Sequence, residues 1–363
     1  MEKNYQIVNI GHFVSRTGTI FLHSLLDSHP QILTMPAVIN FRNLLNKRNY
    51  YTAEEAFEIF DKENPKFYDT SLQKPSDVPD NGLYKLGDNK NEKILTNKEE
   101  FKNFFLENLK LSGNITFKNI LISLNIAYGK THNKDINKCK VILLHPHEKK
   151  DCIKFNKLFK NSKFIIPVRN PLKVYNSIVK MVKFRKKIRN QSYYPSGQLI
   201  QFAKGLDDFR DNKMKMHILK LENLGENFEN ELKKICNFME IDFDLCVLKS
   251  TFGGKKFWGN TYNNPREKYV PNEIQVEKIL SKKDFAILSE INKKIMEEFE
   301  YSNKSFIGKS KIFPALKIFF PLDDEIEFFR NFKFKNLISY LKFLFFYIPK
   351  RIYLISICLK RKN

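Results

Sequence analysis

Residues 6–30, QIVNIGHFVSRTGTIFLHSLLDSHP, decide how this chain is read. The run QIVNIGHFV has the β-branched density of a buried strand. TGTIFLHSLLDSHP follows with Ile20, Leu22, Leu25 and Leu26 at helical spacing until Pro30 ends it. In such a strand, turn and helix, the backbone N–H groups of the turn and the helix N-terminus point at one spot of partial positive charge. Gly18 lets the backbone approach an anion closely, Thr17 and Thr19 offer hydroxyl donors, and Arg16 brings a permanent charge able to bind oxyanions bidentately. The segment departs from GxxxxGK[ST]: counting from Gly11, Arg16 takes the place of the second glycine, and no lysine follows Gly18. That departure weighs against hydrolysis of a magnesium nucleoside triphosphate.

The same alternation returns downstream. KVILLHP precedes EKKDCIKFNKLFKN, KFIIPVRNP precedes LKVYNSIVKMVKF, and MHILKLENL precedes ENFENELKKICNFME. Strands alternating with helices predict an α/β fold with a central, mainly parallel sheet flanked by helices. Residues 60–98, rich in turn residues, read as a long surface insertion, and residues 250–272 as a Gly, Asn and Pro-rich loop holding Trp258, the only tryptophan. A helix is expected over 283–300. Beyond it, apolar runs are interrupted by Lys342, Pro349, Lys350 and Arg351, so none reaches the roughly 20 residues that span a bilayer. The chain is therefore read as a main domain, 1–300, and a basic, apolar, helical C-terminal extension, 301–363. That extension either lies in a membrane interface or folds back onto the domain or another subunit.

The 363 residues carry 63 Lys and Arg against 40 Asp and Glu, a formal charge of +23 that attracts anions without choosing among them. No helix-turn-helix or zinc-finger spacing appears, and no basic block alternates with aromatics, so nucleic acid is not expected as a partner. Five scattered cysteines without a CxxC pair suit a reducing compartment. The polar start MEKNYQ carries no leader-like apolar run, so the expected location is cytoplasmic, peripheral at the inner face of a membrane if the extension binds one. No HExxH or carboxylate cluster predicts a metal.

A second anion pocket follows from KFIIPVRNPLKVYNS. It places Arg169 at a strand's carboxyl end and Ser177 eight residues later on the next helix, with Pro171 in the first turn, where its missing N–H costs nothing. Two phosphate pockets imply a nucleotide phosphorylated at two places.

At these residues the chain resembles the sulfotransferase family. SRTGT followed by LLDSHPQI is similar to that family's 5'-phosphosulfate loop, (K/R)-(S/T)-G-T-T with a later HP pair. RNPLKVYNS matches its 3'-phosphate motif, ILKLENL its YEDL segment, and STFGGKKFWGN its late cofactor loop. The resemblance implies a P-loop NTPase-like sulfotransferase fold and transfer of a sulfuryl group from 3'-phosphoadenosine 5'-phosphosulfate (PAPS) to a hydroxyl or amine, without a metal. Arg16, Thr17, Gly18 and Thr19 would hold the 5'-phosphosulfate, and Arg169 and Ser177 the 3'-phosphate. Two departures stand out: Ile20 occupies the place of the second threonine, and Leu221 that of the YEDL tyrosine.

An attacking hydroxyl must lose its proton, and a histidine near neutral pKa can take it. His147, in LLHPHEKK after a predicted strand, is the first choice as base, with His145 and Glu148 as neighbours that could substitute. His29 is expected to cap and pack the end of the first helix. Lys255, Lys256 and Trp258 would close over the nucleotide, or else serve as ordinary loop lysines with an aromatic packing anchor. The sequence does not identify the acceptor, for which a carbohydrate or lipid-linked glycan is one candidate, and no oligomeric state is read. Two rival functions remain open: a Mg-ATP-dependent P-loop kinase, and a non-catalytic nucleotide-binding or membrane-surface protein of the same fold.

Overall fold

A computed structural model describes residues 4–36, 39–46, 52–74, 77, 81–146, 148–189, 198–259, 280–301, 314–330 and 337–360. In chain order the principal elements are β1 (Gln6–Ile10), α1 (Thr19–Leu26), β2 (Ile32–Leu33), α2 (Ala53–Glu63), α3 (Lys98–Leu111), α4 (Phe117–Thr131), β3 (Val141–Leu144), α5 (Lys149–Leu158), β4 (Lys163–Val168) and α6 (Pro171–Arg189). They continue with β5 (Lys215–Lys220), α7 (Phe228–Met239), β6 (Thr251–Phe252), β7 (Lys255–Lys256), α8 (Lys282–Ile291), α9 (Asp323–Arg330) and α10 (Leu337–Lys360).

β1 to β5 form one sheet in the order β2-β3-β1-β4-β5. The pairs β2–β3, β3–β1 and β1–β4 are parallel, with Val8 opposite Leu143 on one side and Lys163 on the other. β3 and β4 are buried at every residue, as strands covered on both faces must be, so the α/β reading holds. The chain leaves β1 toward β2 and β3 and later crosses to β4 on its other side. The loop after β1 therefore lies at the point where strand order reverses, where open α/β sheets hold their ligands.

β1 is shorter than the β-branched run implied. Gly11 N still donates to Ile165 O at 2.7 Å, but the strand ends at Ile10. Phe13 and Val14, each 1% exposed, are apolar because they are buried in a second cluster of the chain rather than in the sheet. Two compact units are present. The first comprises Met1–His12, Gly18–Pro167 and Asn212–Pro271, and the second Phe13–Thr17, Val168–Asp211 and Asn272–Asn363.

In the first unit, Val8, Ile10, Leu22, Leu25, Val141, Ile165, Leu219 and Ile235 join one core between the sheet, α1 and α7. Residues 60–98 are more than a surface insertion. Leu83, Leu86 and Ile94 form a second apolar cluster with Phe252 and Phe257, while Phe60 and Phe67 pack with Phe101. Their sparse aliphatic and aromatic positions are separated by turn residues, so no periodicity betrays them. α3 and α4 add an aromatic layer in which Phe101 and Phe105 pack on Phe57 of α2.

In the second unit the expected helix over 283–300 breaks at Asn292 into Lys282–Ile291 and Lys293–Glu298. The extension is helical, and part of it folds back. Arg351, Leu354 and Cys358 of α10 are buried, and Arg351 pairs with Glu325 of α9, both side chains 1% exposed. On another face of α10, Leu341, Phe345, Ile348, Ile352 and Leu359 form an exposed apolar stripe. No described helix is long and apolar enough to cross a membrane.

A buried ion pair costs most when only one partner is removed, because the other charge is left unmatched. Arg351→Met alone is expected to destabilise α9 and α10 by about 3–5 kcal/mol, and adding Glu325→Leu should recover most of that loss. Amide exchange across Asp323–Arg330 and Leu337–Lys360 reads both. Equal protection in the single variant and the wild type would rule the pair out as the clamp.

Candidate active site

The loop after β1 closes as a tight turn. Arg16 has φ 70 and Gly18 φ 89, and Thr17 Oγ1 donates to Val14 O at 3.1 Å. A left-handed backbone is unusual for arginine and costs on the order of 1 kcal/mol or more, so the surroundings must hold it. Gly18 is the N-cap of α1 and offers no side chain to that helix end, whose first turn also holds no acidic residue. The leading N–H groups of α1 therefore lack the side-chain acceptor that usually caps them, the condition for an anion site.

Glycine at 18 is also a matter of space, since a Cβ there would lie 2.8 Å from Leu221 Cδ1. Leu221, which departs from the family's tyrosine, fills the volume beneath the turn. Ile20, the other departure, packs against the cluster of Leu83, Leu86, Ile94, Phe252 and Phe257. Thr19 opens α1. Both departures thus trade a polar group for packing within the first unit.

The second unit brings together the predicted arginines and serine. Arg16 Nε donates to Ser177 Oγ at 3.0 Å, and Arg169 Nη1 approaches Arg16 O at 3.5 Å. Arg169 Nε is buried without a hydrogen-bond partner. The RNP sequence places these groups by local chemistry: Asn170 Oδ1 accepts from Leu172 N at 3.0 Å and Lys173 N at 3.3 Å, capping α6, and Pro171 occupies its first position. Ser15 Oγ hydrogen-bonds Gln198 Oε1 at 2.9 Å, which ties the middle of the loop to the start of the Leu199–Lys204 helix.

His145 follows β3 directly and is buried; His147 lies outside the described residues. A feature that sequence reasoning missed stands beside His145. Thr34 Oγ1 lies 2.9 Å from Leu143 O, 2.8 Å from His23 Nε2, and His23 Nδ1 lies 3.3 Å from His145 Nδ1. A carbonyl only accepts, so the Thr34 hydroxyl donates to Leu143 and accepts from His23 Nε2–H. Burial pushes His23 down to about 3, so it is neutral and its Nδ1 carries a lone pair. His145 Nδ1 must then be the donor, which leaves its Nε2 as the basic nitrogen. Glu148 is engaged elsewhere, pairing with Arg42 at 2.5 Å and Lys150 at 2.8 Å.

The late loop is a short hairpin of β6 and β7. Ser250 Oγ meets Ser24 Oγ at 2.6 Å, Thr251 Oγ1 meets Ser28 Oγ at 2.7 Å, and Gly253 N donates to Asp27 Oδ2 at 2.8 Å. Lys255 pairs with Glu92 at 2.9 Å and Lys256 with Asp88 at 3.5 Å, while Trp258 Nε1 donates to Gly87 O at 2.5 Å. His29 Nε2 meets Asp242 O at 2.9 Å and its Nδ1 accepts from Gln31 N, so it fastens the end of α1. The legible signal for this network was the run of His23, Ser24, Asp27 and Ser28 along the end of α1 and the turn that follows it.

His23 and Asp27 give opposite pH signatures. Folding lowers His23 from 6.5 to about 3, so its stabilisation is complete above pH 6.5 and lost as pH falls toward 3. Burial raises Asp27 from 3.8 to about 7, so its contribution is present below 3.8 and lost as pH rises through 7. Subtracting wild-type urea denaturation curves from those of His23→Leu and Asp27→Asn should yield slopes of opposite sign, each at most about 1.4 kcal/mol per pH unit. Two flat differences would mean that neither group is buried as described.

A sulfotransferase family model matches residues 12–245. No curated protein matches the sequence. Among solved structures, the sulfotransferase domain from the curacin biosynthetic pathway is 16% identical with a TM-score of 0.42, covering 83% of this chain and 99% of that one. The sulfotransferase domain of the Synechococcus PCC 7002 olefin synthase is 14% identical with a TM-score of 0.37, covering 68% and 77%. Sulfotransferase STF9 from Mycobacterium avium is 12% identical with a TM-score of 0.36, covering 68% and 66%. These likenesses are too slight to carry an argument about chemistry. The match over 12–245, more than half of the 363 residues, takes in the β1 loop, Arg169, Ser177 and the segment through Leu221, and on it the chain belongs to the sulfotransferase family.

Proposed function

We propose that this sulfotransferase uses PAPS as its donor and a hydroxyl group as its acceptor. The observation that carries the reading is the convergence of Arg16, Ser177 and Arg169, with Arg169 Nε buried and unpartnered. Such a guanidinium suits a phosphate oxygen, which accepts from planar donors in pairs. Arg169 and Ser177 bind the 3'-phosphate in this reading, and Arg16, Thr17, Gly18, Thr19 and the backbone of Ile20 the 5'-phosphosulfate. Lys255, Lys256 and Trp258, with partners at Glu92, Asp88 and Gly87, anchor the late loop.

PAPS, when bound, supplies an activated sulfuryl group. The acceptor oxygen forms the new S–O bond as the bridging S–O bond breaks, and the electron pair leaves with adenosine 3',5'-bisphosphate. Arg16 offsets the negative charge that grows on the departing phosphate oxygen. The acceptor proton passes to a histidine after β3: His145, whose Nδ1 proton is committed to His23, or His147, two residues on. Residues 1–300 carry this chemistry. The extension, 301–363, offers its exposed α10 stripe to a membrane surface, which would suit a glycan acceptor held on lipid.

Adenosine 3',5'-bisphosphate is expected to bind and ADP to bind far more weakly. Arg169→Ala should erase that preference, a loss of about 1.5–3 kcal/mol read by calorimetry. Equal affinity for the two nucleotides in the wild type would remove the 3'-phosphate from the reading. His145→Ala and His147→Ala, assayed with labelled PAPS and mixed acceptors, separate the two bases: the true one loses about 100-fold or more in turnover with nucleotide affinity kept. If both retain full turnover, neither histidine takes the proton.

A further inference from the structure

Among the described residues fourteen large apolar side chains are exposed, and nine of them fall between Leu316 and Leu359, so the exposure is gathered in the extension rather than scattered. On α10 the stripe occupies positions 341, 345, 348, 352 and 359, the spacing of one helix face. At about 100° per residue these five lie within an arc of about 60°. Phe345 is 75% exposed, and none of the five is less than 46% exposed. The short 3-10 helix Pro314–Phe319 packs along α10, with Tyr347 Oη donating to Phe319 O at 2.9 Å. It adds Leu316, Phe319 and the following Phe320 to the exposed apolar side chains of this unit.

Charge follows the same segment. Residues 331–363 contain eight Lys and Arg and no Asp or Glu. Lys333 and Lys335 precede α10, and Lys360, its last residue, is followed by Arg361 and Lys362. The acids nearest in sequence, on α9, are taken up inside the unit. Asp323 pairs with Lys283 at 2.7 Å, Glu327 with Lys183 at 3.2 Å, Asp324 accepts from Tyr175, and Glu325 pairs with Arg351. Whatever covers the stripe must therefore be apolar within and negative at its rim.

That requirement separates the occupants. A second copy of this chain would set eight cations against eight like ones, which opposes contact. A span across the bilayer would carry the buried Arg351–Glu325 pair into hydrocarbon, and no described helix is long and apolar enough for it. The interface of a bilayer holding anionic lipid supplies both halves, acyl chains for the stripe and headgroups for the flanking cations.

We propose that α10 lies in the plane of an anionic bilayer surface, with its 341–359 stripe among the acyl chains and its flanking Lys and Arg at the headgroups. The inference rests on the reading of the extension as a membrane-facing segment, and adds to it the charge of the lipid and the residues that enter it. Co-sedimentation of the full chain with phosphatidylcholine vesicles, with and without about 30% phosphatidylserine, tests it. The anionic vesicles should bind about tenfold tighter or more. Because a chain of formal charge +23 adheres to such vesicles through charge alone, two double variants with the same charge change are compared. Phe345→Glu with Ile352→Glu should weaken binding to the anionic vesicles about tenfold or more. Leu111→Glu with Leu245→Glu, at exposed positions of the first unit, should weaken it about twofold at most. Both should keep the wild-type affinity for adenosine 3',5'-bisphosphate, and the wild-type comparison of the two vesicles stands even if a variant fails to fold. Equal binding of the wild type to both vesicles would overturn the anionic lipid and leave membrane contact in place, whereas binding to neither would overturn both. Equal losses in the two double variants would overturn the role of the stripe. A concentration-dependent dimer without vesicle binding, dissolved by Phe345→Glu with Ile352→Glu, would give the face to a second copy instead.

Discussion

The arrangement depends on one close approach, the turn at Gly18 lying against Leu221. The chain must leave β1, reverse within a few residues and start α1 with its leading N–H groups uncapped. A side chain at 18 would collide with Leu221, and a right-handed backbone would not make the turn, so glycine at φ 89 satisfies both demands at once. Arg16, two residues earlier, takes a left-handed conformation, its Nε donating to Ser177 Oγ and its carbonyl accepting from Arg169 Nη1, while Thr17 Oγ1 closes the turn by donating to Val14 O. The local strain and the assembled cations are two sides of the same turn.

A second dependence runs along α1. An amphipathic helix ordinarily turns its polar residues to water, yet His23 and Ser24, and Asp27 at the C-cap, are buried here. Each is satisfied by a different segment: Thr34 and His145 at the sheet edge, Ser250 in the late loop, and Gly253 at its tip. Polar contacts in a dry setting are directional, so they fix the register of these segments more tightly than apolar packing alone. One short helix thereby ties together the sheet edge, the histidine beside it and the hairpin that follows far along the chain.

The sheet, the glycine turn and the Arg169–Ser177 segment were legible because each announces itself locally: β-branched runs, helical spacing, a glycine, and an arginine before Asn-Pro. What stayed hidden was decided by distant partners. Residues 60–98 looked like surface because their apolar positions are sparse, and Leu83, Leu86 and Ile94 become a core only through Phe252 and Phe257. Phe13 and Val14 looked like strand because burial in either unit selects the same residue types. The tautomer of His145 is set by Thr34 and Leu143, neither of which carries a catalytic signature. Lys255 and Lys256 read either as nucleotide ligands or as ordinary loop lysines, and the acids they meet come from residues 88–92.

The division of the β1 loop has a consequence for the order of assembly. Residues 13–17 group with the second unit although both neighbours along the chain belong to the first, and the bonds that hold them span 153, 161 and 183 residues. Contacts so far apart close late, because the loop entropy must be overcome before they return any stabilisation. A growing chain that has emerged as far as α5 thus carries Gly18 and the first strands of the sheet, but neither Leu221 nor Arg169 nor Ser177. The motif is written near the beginning of the chain, but its charge is assembled only after α6 has been made.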